Sequence, residues 1–159
     1  MSIKPWMVIF GITILIAMGS IFIRPKDIPW EKRLDRPRWL FFEPLIPVIW
    51  MVVFLSGALS ATLVWEQEPG SLKTWSLMGL YILTEIVTTA YIPATLRSRN
   101  LKVGLTLGAI GVALGVVLTA MVWQISGSAA ALMLPYLIWS PVGTYATQQM
   151  MDLNPEATT

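Results

Sequence analysis

The sequence contains neither cysteine nor histidine. Without cysteine there is no disulfide framework and no thiolate chemistry. Without histidine the commonest metal ligand and the usual acid–base group near neutral pH are missing. A zinc site, or a haem held through a His or Cys axial ligand, is therefore excluded. Charge is scarce too: 13% of residues are charged and 55% are hydrophobic, with a mean hydropathy of +0.67. Soluble domains carry about 25% charged residues. From Val103 to Met151 there is no Asp, Glu, Lys or Arg at all. A bilayer core needs about 20 apolar residues per helical span, so this run accommodates two helices, with Ser126-Gly127-Ser128 as the break between them.

Uncharged stretches elsewhere extend the pattern. Five spans are expected, over Pro5–Ile23, Pro44–Trp65, Thr74–Leu96, Val103–Ser126 and Ala129–Met151, the third interrupted only by Glu85. Backbone groups in hydrocarbon must be bonded internally, and the runs lack strict alternation, so helices are expected rather than a barrel. The fold class is an all-α membrane protein: one domain, residues 1–159, forming a five-helix transmembrane bundle. The first apolar run is too long for a signal h-region and no small-x-small site follows it, so a cleaved leader is not expected.

Basic residues set the expected orientation. Arg24, Lys26, Lys32, Arg33, Arg36 and Arg38 lie between spans 1 and 2, and Arg97, Arg99 and Lys102 between spans 3 and 4. Only Lys4 and Lys73 fall on the other side. The positive-inside rule then puts the N-terminus outside and the C-terminus in the cytoplasm. Topology accounts for these charges better than a nucleic-acid surface does. The one long loop, residues 24–43, is rich in proline and aromatics, so it is expected to pack on the bundle as a lid.

Eight tryptophans are present. Trp6, Trp65, Trp75 and Trp123 sit at outer span ends, where aromatic belts form, and Trp30 reads as an inner-interface anchor. Trp50 and Trp139 lie deeper, and a mid-span indole N–H calls for a polar partner or a ligand; plain helix packing is the alternative. Pro44, Pro47, Pro93, Pro135 and Pro141 are expected to interrupt backbone bonding and splay helices 2 and 5, leaving a pocket on the Trp50 and Trp139 faces. Glu85, at mid-span, costs on the order of 3 kcal/mol to bury, which makes it a functional candidate by default. Its expected partners are a Trp N–H, Thr88, Thr89 or Tyr136, and its candidate roles are a ligand contact, a proton-coupled site or helix–helix glue. Gly104, Gly108, Gly111 and Gly115 form one stripe on span 4, for packing inside the bundle or for a dimer contact.

The fifth span reads Pro135-Tyr136-Leu137-Ile138-Trp139, then Val142-Gly143, Ala146-Thr147 and Leu153-Asn154. This resembles the last helix of the TspO/MBR family (tryptophan-rich sensory protein/translocator protein), with its P-Y-L-x-W, F-A and L-N pattern. Arg36-Pro37-Arg38-Trp39, then Trp50 and Leu63-Val64-Trp65, looks like that family's K-P-S-W…V-W…L-V-W segment. The sequence departs from the pattern at Phe41-Phe42 (Pro-Pro in the family), Pro47, Glu85 and Thr88 (N-x-x-W), Gly143 (Ala) and Thr147 (Asn). These departures mark a divergent member.

The resemblance implies a homodimer that binds tetrapyrroles such as protoporphyrin IX, or other flat hydrophobic molecules, between helices 2 and 5 under the first loop. By motif, Trp50, Trp139 and Gly143 would line that pocket and Trp39 would belong to the lid. Tyr136, Glu85 and Thr147 complete the ligand-binding set, and Arg36 and Arg38 are candidates to pair with propionates at the mouth. No cofactor is required and no metal site is expected; porphyrin, or haem without strong axial ligation, is the candidate ligand. Catalysis has little support, since no paired carboxylates, no Ser with a base and no phosphate loop are present. The resemblance carries one chemistry, light-dependent breakdown of a bound porphyrin. The expected function is a tetrapyrrole-binding sensor or translocator, most simply in a bacterial inner membrane. The alternatives are a small proton-coupled transporter using Glu85, and a structural membrane subunit.

Overall fold

The computed structural model describes residues 2–159. Among them are seven α-helices, five 3-10 segments and no strand. Five helices are long: α1 (Pro5–Ala17), α3 (Ile46–Gln67), α4 (Leu72–Ser98), α5 (Leu101–Trp123) and α7 (Leu134–Leu153). Two are short: α2 (Ile28–Lys32) in the first loop and α6 (Gly127–Ala131) ahead of α7.

Four segments, Pro5–Phe22, Glu43–Gln67, Leu72–Ser98 and Leu101–Trp123, are long and apolar enough to cross a membrane. The α7 helix is 20 residues long, but Ser140, Thr144, Thr147, Gln148 and Gln149 make it more polar than the others. Large apolar side chains such as Leu15, Ile21, Val117 and Ile138 point outward from the bundle. An apolar exterior of this kind suits lipid rather than water.

The prolines act differently from the expectation. Pro47 and Pro135 occupy the first turns of α3 and α7, and Pro44 opens a 3-10 turn. There the missing N–H would have had no intrahelical partner anyway. Only Pro93 and Pro141 lie inside helices. The apolar run 129–151 is accordingly two helices, with Leu132 and Met133 in a turn between them. Pro135 has no N–H to return to Ala131, so α6 cannot run straight on into α7.

Around the bundle the long helices follow the order α1, α3, α7, α5, α4 and back to α1. One end is filled by a dense core that includes Val64, Leu77, Leu118, Val122 and Ala129. Ser60 ties it together, donating to Ala129 O at 2.6 Å and lying 2.6 Å from the Tyr81 hydroxyl. The glycine stripe of α5 is used inside the bundle. A Cβ at Gly104 would lie 2.6 Å from Thr95 Oγ1, one at Gly108 2.6 Å from Thr144 Oγ1, and one at Gly115 would run into the Tyr136 ring. Glycine here lets α5 approach α4 and α7 closely.

The opposite end is closed by residues 24–43, folded back over the bundle and fastened at three places. Asp27, 1% exposed, pairs with Arg24 at 2.6 Å and with Arg99 at 3.5 Å. Arg99 ends α4 with φ +53°, in the left-handed region. Asn154, just past α7, accepts from Asp35 N and donates to Asp35 O, each at 2.8 Å. Trp39 donates its indole N–H to Gln149 and stacks on Tyr145 with ring centroids 6.1 Å apart. A loop so rich in apolar and paired charged groups packs because its backbone and side chains find partners on the bundle.

Candidate ligand cavity

Beneath this lid lies a cavity of about 840 Å³. Ligand pockets of small molecules run from about 300 to 1,000 Å³. All five long helices and the loop supply its wall, which is overwhelmingly apolar. Phe10 and Ile14 come from α1, Trp50 and Phe54 from α3, Thr89 and Tyr91 from α4, and Trp139 and Gly143 from α7. From the loop, Trp30, Leu34 and Leu40 form the apolar underside of the lid. Trp30, read from sequence as an interface anchor, packs against the Leu34, Leu101 and Ala157 cluster and faces the cavity.

Of the residues singled out from sequence, Trp50, Tyr136, Trp139, Gly143, Thr147 and Arg36 come together on this wall. Trp139 packs edge-on against Phe42 of the lid, with centroids 6.1 Å apart at 61°. Its Nε1 is buried and has no hydrogen-bond partner. Gly143 has open space where a Cβ would stand. The Thr147 hydroxyl has spent its proton: it donates to Gly143 O at 3.0 Å and accepts from the Tyr91 hydroxyl. The Tyr136 hydroxyl donates to Gly111 O at 2.9 Å and accepts from Thr88 Oγ1 at 3.0 Å, locking α4, α5 and α7 together.

Trp39 and Arg38 stand apart from the cavity. Trp39 clasps the lid to α7 from outside, and Arg38 is exposed. Arg36 does reach the wall, already paired with Glu31 and, at 2.8 Å, with Glu43. Glu85 does not line the large cavity either. It borders a pocket of about 30 Å³ that shares Trp50, Phe54, Thr88 and Tyr136 with the larger one. Its partner is none of those expected: Thr13 of α1 donates to Oε1 at 2.8 Å. Thr13 is the one hydroxyl residue in α1, a signal present in the sequence but not used.

Sequence reasoning missed Asp27 and the task of Asn154, the buried fasteners of the lid, and it named Thr89 only as a partner for Glu85, whereas its buried hydroxyl is unpartnered on the cavity wall. Asn154 belongs to the Leu153-Asn154 signature, which pointed to it without giving its task. The Asp27 carboxyl shows how tightly the lid is held. Burial works to raise its pKa, yet bonding and charge from Arg24 and Arg99 outweigh that and hold it below its ordinary value of 3.8.

Fold and site together define a helical membrane protein with a lidded apolar cavity. The TspO/MBR family model matches residues 7–152, and the chain belongs to that family. It is 27% identical over 152 residues to the tryptophan-rich protein TspO of Bacillus cereus, covering 95% of this chain and 97% of that one. Against the translocator protein of Ovis aries it is 28% identical over 160 residues, covering 94% and 92%. A membrane protein of Bacillus subtilis, YtaB, is 27% identical over 150 residues, covering 92% and 94%.

Proposed function

We propose that this protein is a sensor or translocator that takes a flat hydrophobic ligand, a tetrapyrrole such as protoporphyrin IX, into the cavity under the loop. The observation that carries this reading is the Trp139 Nε1, buried without a partner on the wall of a cavity of about 840 Å³. A buried N–H without a bond costs about 1–3 kcal/mol, and a ligand acceptor would recover that. Trp50 and Trp139 offer flat faces to a flat ligand. The sequence has no His or Cys to hold a haem iron, which favours metal-free porphyrin. The frame we propose is a five-span bundle with an external N-terminus in a bacterial inner membrane, assembled as a homodimer. The α5 glycines Gly104, Gly108 and Gly115 are occupied within the bundle, which speaks against their use as the dimer contact.

The test is a protoporphyrin IX titration of detergent-purified protein, followed by tryptophan quenching. Saturable binding is expected in the parent and at least about tenfold weaker binding in Trp139→Phe. Absence of saturable binding in the parent overturns the proposal and favours a structural subunit.

A second reading has its own observation. Glu85 lies at span depth, bonded to Thr13, beside a pocket of about 30 Å³, which is room for a water. A proton-coupled transporter would use such a carboxylate. Proton-driven ligand uptake in proteoliposomes that disappears in Glu85→Gln supports this reading; identical flux in the variant removes it.

A further inference from the structure

Outside the cavity, the lid end of the bundle gathers positive charge at one seam. Two segments of span length, Pro5–Phe22 and Leu72–Ser98, end there side by side. Their contact is close: a Cβ at Gly19, in the 3-10 segment Met18–Phe22, would run into Thr89 Cγ2 of α4. Arg24 follows the first segment, Arg97 lies in the last turn of α4, and Arg99 stands just beyond it. Hydrogen bonds hold this group together. Arg24 donates from Nη2 to Arg97 O at 3.4 Å and from Nε to one Asp27 oxygen at 2.6 Å. The other Asp27 oxygen accepts from Arg99 Nη2 at 3.5 Å.

One buried carboxylate thus stands against three guanidiniums, and the cluster keeps a formal charge of +2. Most of its donors are free. A guanidinium has five N–H groups; Arg24 has spent two and Arg99 one. The Arg97 side chain is exposed and pairs with no carboxylate among the described residues. Arg99 holds its guanidinium here at φ +53°, a backbone position that glycine fills more cheaply at a helix end. Orientation in a membrane calls for cations at one end of a bundle, but not for their collection at one seam. Toward mid-span from the arginines, Ile21, Phe22 and Ile92 present exposed apolar side chains.

Cations just past the ends of two spans lie at the level of lipid headgroups, and basic pockets between transmembrane helices bind anionic headgroups. A guanidinium meets phosphate oxygens in a paired, charge-assisted geometry. We infer that the seam between Met18–Phe22 and the end of α4 is a binding site for an anionic phospholipid. Its phosphate is held by Arg97 with the free donors of Arg24 and Arg99, and its acyl chains run along Phe22 and Ile92. The site lies on the lipid-facing surface and is independent of which ligand the cavity takes.

The experiment titrates the full-length protein in detergent with phosphatidylglycerol and with phosphatidylcholine of the same acyl chains, and counts bound lipids by native mass spectrometry. Saturable binding of phosphatidylglycerol is expected, about tenfold or more tighter than phosphatidylcholine. Arg97→Gln leaves both ion pairs of Asp27 in place and should shrink that ratio several-fold. Arg38→Gln removes the same charge beside Trp39, where the lid meets α7, and should leave the ratio unchanged. The ratio is the readout, because a loosened fold weakens both lipids alike. Equal affinity for the two lipids overturns the site, as does an unchanged ratio in Arg97→Gln. An equal loss in both variants reveals only the diffuse field of a basic surface and overturns it too. Displacement of the lipid by excess glycerol 3-phosphate overturns the phospholipid as occupant, since the acyl chains would then contribute nothing.

Discussion

Replacing Trp139 by phenylalanine keeps most of the ring but removes a buried N–H that has no partner. The protein without ligand should therefore lose no stability, and gain up to about 1 kcal/mol, while ligand binding weakens. Thermal unfolding in detergent, with and without porphyrin, checks the pair of outcomes. Gly143→Leu makes the complementary prediction. Space is open at that position and the residue lines the cavity, so folding should tolerate the change and binding should fall as the cavity fills. Gly115→Leu should behave oppositely, since its side chain would drive into the Tyr136 ring; a loss of about 1–3 kcal/mol or more is expected from overpacking. The three substitutions separate cavity wall from packed core within two adjacent helices.

The element that matters most is the loop of residues 24–43, which behaves as a fastened lid. Asn154→Ala removes its bond to Asp35 N and its donation to Asp35 O. A cost of about 1–3 kcal/mol is expected, together with faster ligand release measured by stopped-flow dissociation. Asp27 adds a pH dependence whose sign follows from its lowered pKa. A carboxylate depressed in the folded state stabilises fully above its ordinary pKa, and that contribution fades as pH falls through the folded value. The lid should stay closed from neutrality down to about pH 4 and loosen below it. Proteolysis or hydrogen exchange across residues 24–43 would detect this, and Asp27→Asn should loosen the lid near neutrality and shrink the difference between neutral and acid pH.

At the scale of the whole molecule, the absence of native cysteine makes topology directly testable. Single cysteines at Gly70 and at Arg33 should be labelled by an impermeant reagent from opposite sides of the membrane. Labelling from the same side would overturn the crossing of the membrane by α3.

How far the residues alone reach is visible element by element. The helical class was legible because uncharged runs of span length leave no other way to satisfy the backbone in lipid. Depth along their spans singled out Trp50 and Trp139 but left helix packing open as their role; that both face one cavity is visible only in the fold. Proline effects were misjudged from spacing, since the consequence of Pro47 or Pro135 depends on where the helix begins. Glu85 announced itself by its charge, but Thr13, 72 positions away in sequence, became its partner only through the packing of α1 on α4.

The sequence by itself determined the solvent of this protein, its helices and the family to which it belongs, because those follow from composition, local periodicity and motif. Only the tertiary structure decided that Asp27 and Asn154 fasten the lid and that Arg36 arrives at the cavity already neutralised. It also decided that Trp139 and Thr89 are left with nothing to bond. Those facts depend on which side chains meet across distant parts of the chain, and on the distances at which they meet.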